Sequence, residues 1–241
     1  MSSSTSRELS RRERERQMRR RAMLDAAQSV FAEKGYARAT LDEIAERAEF
    51  GKGTIYNYFE GGKEDILYAI FDKTYQEITK IISETFATDD GERTLRDRYH
   101  DLVVRGFEFY SNREDILIIL QKEAYRMGFS DDTDRARWFH EWHERILSAA
   151  CPAIEGAIET GEIRDLPATA VAHMLIKNLD NLLVHRSLAR RSHETLDECT
   201  SAVSLHDDPN AAAEFLTSML FDGLVTHDAP PLPAPPPERS T

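Results

Sequence analysis

The residues with the most to say about chemistry lie between Thr40 and Phe59, in the run TLDEIAERAEFGKGTIYNYF. Lys52, Thr54, Tyr56, Asn57 and Tyr58 follow one another there at a spacing that gathers them on one exposed side of a short helix. Their side chains donate hydrogen bonds, stack on flat rings or neutralise phosphate, the chemistry by which a helix reads the major groove of a DNA duplex. A competing set is His140, Glu141, His143 and Glu144. His140 and His143 are three apart on a helical face, a spacing that can hold a metal ion, with His173 as a third ligand from elsewhere. Position 144 is Glu, so this is not the H-E-x-x-H zinc motif. No nucleophile elbow, phosphate-binding glycine loop or Cys-x-x-Cys is present, so an enzyme is not expected and no cofactor is implied.

The first set must be held by two helices and a turn. Thr40 and Glu43 form a T-x-x-E capping box that starts a helix at Leu41. Leu41, Ile44, Ala45 and Ala48 give it a narrow apolar stripe. Gly51 and Gly53 bracket Lys52 at the start of the next helix, where Ile55 and Phe59 supply the buried side. A preceding helix from about residue 14 to 34 carries Leu24, Ala27, Val30 and Phe31 at helical spacing and ends at Gly35. From Arg7 to Arg21 the chain is rich in arginine and suits equally a solvated, partly disordered tail that extends the first helix and a basic arm reaching the phosphates or the minor groove beside the main contact.

Beyond Lys63 the helical period persists and no strand alternation occurs. Ile66, Leu67, Ile70, Phe71, Tyr75, Ile78 and Ile82 predict a helix from 63 to about 87, broken at Asp89-Asp90-Gly91. Leu95, Tyr99, Leu102, Val103 and Phe107 predict a fifth helix to about Tyr110. Asn112 is the expected N-cap of a sixth, ending near Gly128. The acidic start from Asp131 to Asp134 opens a seventh that runs to about Thr160, irregular at Pro152. Asp165-Leu-Pro167 and Asp208-Pro209 open the last two helices, separated by a largely loop-like segment from Arg190 to Asp207. Their apolar stripes, which include Met174, Leu175, Leu179 and Leu182 on one and Phe215, Met219, Leu220 and Leu224 on the other, are broader than one packing partner needs. The expected organisation is all-α with about nine helices. It comprises a disordered basic tail over 1–13, a helix-turn-helix domain over 14–62, a helical domain over 63–228 and a Pro-rich disordered tail over 229–241.

Charge is distributed in the same way. The net charge of the 241-residue chain is -12. Residues 1–63 hold 13 Lys+Arg against 10 Asp+Glu, a net of +3, and residues 64–241 hold 18 against 33, a net of -15. A basic end on an acidic body is oriented toward a polyanion by its own field. Cys151 and Cys199 make no disulfide framework, and no stretch is apolar enough for a signal peptide or a membrane span. A cytoplasmic protein with no membrane partner is expected.

The segments AAQSVFAEKGYARATLDEIAERA, KGTIYNYF and KEDILYAIF resemble the DNA-binding domain of the TetR (tetracycline repressor) family, over residues from about 18 to 72. The resemblance implies a third helix that reads the major groove, with Thr40 on phosphate at the start of helix two. It places Lys52, Gly53, Thr54, Tyr56 and Asn57 against bases or backbone, and Tyr58 and Lys63 on phosphates. The family's turn commonly reads Gly-Val-Ser before Lys-Gly, where this chain has Glu49, Phe50 and Gly51, and Glu60-Gly61-Gly62 is one residue longer than the common linker. The resemblance also implies a homodimer built on the last two helices, with Leu175, Leu179, Leu182, Phe215, Met219 and Leu220 as interface candidates. Two heads on a two-fold axis can reach successive major grooves about 34 Å apart and read a palindromic operator. It further implies an effector cavity in the body for a small apolar or aromatic molecule, with Phe107, Tyr110, Leu120, Trp138, Trp142 and Met174 as lining candidates. A ligand-responsive transcriptional repressor is therefore the function expected. The alternatives are a helical metal-dependent enzyme using His140 and His143, and a helical interaction protein that does not bind DNA.

Overall fold

A computed structural model describes residues 10–87, 93–191 and 208–223. The expectations for residues 1–9, Asp89 to Gly91, Cys199, most of the 190–207 segment, Leu224 and the Pro-rich tail lie outside the described residues. All regular structure within them is helical, in the order α1 Arg11–Lys34, α2 Leu41–Arg47, α3 Lys52–Tyr56, α4 Lys63–Thr85 and α5 Leu95–Ser111. There follow α6 Glu114–Gly128, α7 Thr133–Ser148, α8 Cys151–Glu159, α9 Ala168–Arg191 and α10 Pro209–Phe221. The long seventh helix expected from the sequence is two helices. The chain turns at Ala149-Ala150, and Pro152, which has no N–H to donate, sits in the first turn of α8, where none is required.

Local chemistry sets most boundaries. Thr40 Oγ1 accepts from the Glu43 amide at 3.3 Å and the Glu43 carboxylate accepts from the Thr40 amide at 3.0 Å, the reciprocal capping box read from the sequence. Ser10 and Glu13 form another, which starts α1 at Arg11, so residues 11–13 are helical and not part of a tail. Asp208 Oδ1 accepts from the amides of Asn210 and Ala211 with Pro209 as the first helical residue. Asn112 does not cap α6. It closes α5, its side-chain amide donating to the Glu108 carbonyl at 3.2 Å, and Arg113 precedes α6.

The head is α1, α2 and α3 folded around Met23, Leu24, Ala27, Val30, Phe31, Ile44, Ile55 and Phe59, all buried. The turn from α2 to α3 carries a cost that glycine would avoid. Glu49 has φ 59, the only non-glycine with positive φ among the described residues, and the Phe50 amide closes the turn on the Ala45 carbonyl at 3.0 Å. A side chain in the left-handed region is strained by about 1–2 kcal/mol. Glu49→Gly is therefore expected to raise stability by up to about 1 kcal/mol, since part of the relief is offset by the freer unfolded chain. A urea midpoint that falls instead would show that the Glu49 side chain supports the turn.

The body is organised around α5, which packs along α10 and also touches α4, α6, α8 and α9. Tyr99 of α5 is fully buried and donates its hydroxyl to the Leu175 carbonyl of α9 at 3.1 Å. Arg96 holds Asp222 with two hydrogen bonds of 2.6 and 2.9 Å, fixing the end of α10 on α5. No helix is long and apolar enough to cross a membrane among the described residues.

Candidate DNA-reading surface and effector cavity

The reading surface starts from α3, which is shorter than the sequence pattern suggests. Regular helix ends at Tyr56, and Asn57, Tyr58 and Phe59 continue as a turn held by Tyr58 and Phe59 amides on the Ile55 carbonyl at 3.0 and 2.9 Å. Ile55 and Phe59 face the head's core at 0 % and 2 % exposure. Lys52, Gly53, Tyr56 and Asn57 are exposed on the other side, with Thr54 and Tyr58 half-buried. Lys52 meets Asp42 of α2 at 2.9 Å, an exposed pair that raises the lysine's affinity for its proton and leaves the ammonium at the surface. Thr40 is exposed at the start of α2, its oxygen occupied by the cap and its hydroxyl proton free to face an anion. Gly51 precedes α3 with no side-chain cap, as its lack of a hydroxyl dictates.

Lys63 departs from expectation. Its ammonium donates to the carbonyls of Tyr36, Ala37 and Ala39 at 2.8, 3.3 and 2.9 Å and lies 4.6 Å from the centre of the Tyr36 ring. All three N–H donors of the ammonium are committed to the turn between α1 and α2. Lys63 pins α4 to the head, its donors turned to that turn and away from the exposed side of α3. Lys63→Met, which keeps the apolar stem, is expected to cost about 2 kcal/mol of stability through lost charge-assisted hydrogen bonds. The salt dependence of DNA binding should stay unchanged. An unaltered unfolding midpoint together with a shallower salt dependence would restore the phosphate role.

The junction between head and body contains further charge pairing. Arg135 of α7 reaches Glu64 of α4 at 2.6 Å and Asp132 at 3.0 Å. Arg126 of α6 holds Glu123 at 2.6 Å, with the Glu123 side chain only 8 % exposed. Burial, reinforced by Glu64, raises the pKa of the Tyr36 phenol beside them. Helix α6 packs directly on α1 here.

Within the body, α4, α5, α6, α7 and α9 line a partly open cavity of about 180 Å³. Its wall is largely aliphatic, with Ile78, Ile82, Leu102, Leu117, Leu120 and Leu183 among the lining side chains. One polar cluster interrupts it. Asp180 accepts from Lys177 at 3.0 Å and from Gln121 at 3.3 Å, and His143 lies nearby on α7. Burial lowers the His143 pKa, with the positive Lys177 adding to the effect, so the imidazole is neutral at pH 7. Burial also pushes the Tyr75 phenol well up, with Asp180 contributing, so that group enters the cavity as a neutral hydroxyl.

Two of the lining candidates, Tyr110 and Leu120, are in this wall. Phe107 is in the solid core at 1 % exposure. Trp138 packs edge-on against Tyr68 and Phe71, and Trp142 turns to α4, donating its indole N–H to Asp72 at 3.0 Å. Met174 is 44 % exposed on the outside of α9. Phe107, Trp138 and Trp142 are taken up by contacts between helices, and the aromatic side chains that do reach the cavity are Tyr75, Phe109, Tyr110, Tyr125 and Phe139. Lys177 and Asp180 resemble ordinary surface charge in the sequence, and the only signal for them was their place three apart on a helix that also carries Ile176 and Leu179. The dimer candidates divide similarly. Leu175 and Leu179 are buried in their own subunit, Leu179 against Gly106. Phe215 is 43 % exposed, and Leu182, Met219 and Leu220 are half-buried.

The histidines do not assemble a metal site. His140 Nδ1 lies 2.7 Å from the Ala136 carbonyl, His143 stacks on Phe139, and His173 meets His143 edge-on at 5.7 Å between ring centres. No group of three or more metal-ligating side chains is placed to hold an ion among the described residues.

Residues 23–70 match the family model of bacterial regulatory proteins, tetR family. The chain is 28% identical over 160 residues to the HTH-type transcriptional regulator YhgD of Bacillus subtilis, covering 66% of this chain and 79% of that one. It is 24% identical over 154 residues to the fatty acid metabolism regulator protein of the same organism, covering 64% and 75%. In structure it is similar to the transcriptional regulator FadR of Bacillus subtilis in complex with stearoyl-CoA, with TM-score 0.67, 20% identity, and 85% of this chain and 99% of that one covered.

Proposed function

Because this chain is a member of the tetR family of bacterial regulatory proteins and a DNA-binding transcriptional regulator, we propose that it is a homodimeric repressor released from its operator by a small apolar effector. Thr40, Lys52, Gly53, Thr54, Tyr56, Asn57 and Tyr58 form the reading surface of each head. The observation that carries this is the two-sidedness of α3. Ile55 and Phe59 are fixed in the core, so the donor-bearing side is presented on a rigid support and does not rest on the protein's own body.

The dimer rests on apolar surface that one subunit leaves uncovered. Met174 and Leu188 on α9 and Phe215 on α10 are 44%, 50% and 43% exposed, and Leu182, Met219 and Leu220 border them. A two-fold interface on these helices would place like patches against each other. Leu175 and Leu179 act instead by holding α9 in its own subunit.

The apolar part of the effector, the acyl chain in the case of a thioester, is proposed to enter the cavity beside Tyr110 and Leu120, with the first polar group behind it at Lys177, Gln121 and His143 and any charged headgroup left outside. The relatives that regulate fatty acid metabolism, and the bound stearoyl-CoA in one of them, make fatty acyl-coenzyme A thioesters the first class to test. At about 180 Å³ the cavity is below the ~300–1,000 Å³ of pockets that enclose ligands of ordinary size. For the body to take up more of such a ligand, the helices would have to part. One of them, α4, carries Thr74, Tyr75, Ile78 and Ile82 in the wall and Lys63 and Glu64 at the head. Differential affinity for a widened body and a displaced head gives the coupling, for which about 1–3 kcal/mol suffices. The test is selection of duplexes from a random library by the purified protein, followed by titration of the selected duplex with and without acyl-coenzyme A thioesters of graded length. Recovery of a palindrome bound by two chains and released by one thioester supports the proposal. Recovery of no sequence preference overturns it.

A further inference from the structure

The first three turns of α1 reverse the chemistry of the helix they belong to. From Met23 onward, the side facing the head is apolar and buried, with Met23 at 0 % exposure and Ala27 at 0 %. Traced back along the helix, the same side carries Arg12, Arg16 and Arg20, flanked by Arg19, all exposed. The acids of this stretch are occupied. Glu13 caps the helix at Ser10, Glu15 pairs with Arg11 at 3.0 Å, and Asp25 pairs with Arg21 at 3.8 Å. No ion pair is formed by Arg12, Arg16, Arg19 or Arg20 among the described residues. Arg16 lies 5.6 Å from the ring centre of Tyr58 and Arg20 lies 5.1 Å from that of Phe59, so the stripe runs directly beside the end of α3. The match to the family model begins at Met23, so the residues of α1 before it lie outside the matched segment.

We propose that the arginine-bearing start of α1 is a second DNA-binding element, a sequence-independent clamp in which Arg12, Arg16 and Arg19 hold backbone phosphates flanking the segment read by α3. Eleven residues separate Arg12 from Met23, a reach of about 16 Å at 1.5 Å per residue, enough to pass about five phosphates of one strand. These exposed cations without ion pairs form a row that an anion can cover, and a duplex docked on α3 brings a row of phosphates beside it. The inference rests on the reading of α3 given above.

The test uses the full chain and the duplex that the wild-type protein selects, once trimmed to the segment read by the heads and once extended by about five base pairs on each side, the reach just derived. The variant is Arg12→Gln/Arg16→Gln/Arg19→Gln, and the control is Arg11→Gln/Arg21→Gln, which alters arginines already paired with acids. On the extended duplex, the plot of log affinity against log salt concentration is expected to lose about 2–3 in slope per subunit in the triple variant. Preference among duplex sequences should be unchanged, and the trimmed duplex should show little difference. The control should keep the wild-type slope, and both should keep the wild-type unfolding midpoint. Equal slopes for wild type and triple variant on the extended duplex would overturn the clamp, as would an equal loss in the control. A wild-type protein that binds no duplex at all would overturn the reading of α3 itself, a result distinct from either of these.

Discussion

Replacing Tyr56 and Asn57 together by alanine is expected to weaken binding to the selected operator by at least about a hundredfold and to flatten its preference over altered sequences. Each contact to a base edge is worth about 1–3 kcal/mol, and a two-fold assembly loses it in both half-sites. The fold should not register the change. Tyr56 is 44 % exposed, Asn57 is exposed, and the core side of this segment belongs to Ile55 and Phe59. Fluorescence anisotropy on operator and scrambled duplexes, beside a thermal melt, separates the outcomes. A proportionate loss on both duplexes would demote these residues to backbone contacts. A lowered melt would make them structural.

Phe31→Ala is expected to produce the largest loss of stability, about 3–5 kcal/mol, because the removed ring leaves a cavity that neighbouring helices cannot close. Phe31 has 0 % exposure and meets the Tyr36 ring edge-on at 5.4 Å. Tyr36 in turn lends its carbonyl and its ring to Lys63, the group that ties α4 to the head. The substitution therefore damages both the head's core and its attachment. Operator binding should be lost with it, although Phe31 is buried and no part of the reading surface. A urea titration that shows less than about 1 kcal/mol of destabilisation would mean that the head repacks around the deletion. It would also show that the chain from Phe31 through Tyr36 to Lys63 is not what holds the head.

These two residue sets also show what a linear sequence reveals. The Thr40–Glu43 box and the Asp208-Pro209 start are complete within one turn of helix and the apolar period of α1 within about two, and each of these local signals is found where the sequence places it. The carbonyl contacts of Lys63 are not legible in the sequence, because its partners are more than twenty residues away and are backbone carbonyls, which no residue type announces. Trp138 and Trp142 resemble cavity residues in the sequence because periodicity tells which side of a helix is apolar but not which neighbour it meets. The neighbour is the aromatic run of α4, where Tyr68, Phe71 and Tyr75 take up that side. Leu175 and Leu179 show the same limit on α9, whose apolar surface is wide enough to serve both a core and an outer face, so the sequence alone does not apportion them. The strain at Glu49 is likewise invisible until the turn's φ is known, though the family's glycine at that turn marks where to look.

Entry of the exposed side of α3 into the major groove can be read by methylation interference on the selected duplex. Methyl groups on guanine N7 stand in the major groove, whereas those on adenine N3 stand in the minor groove. Binding by the wild-type protein should be blocked by guanine N7 methylation within two symmetric half-sites, and Tyr56→Ala/Asn57→Ala should lose that pattern at the central positions of each. Interference confined to adenine N3, or absent from both grooves while binding persists, would contradict the account.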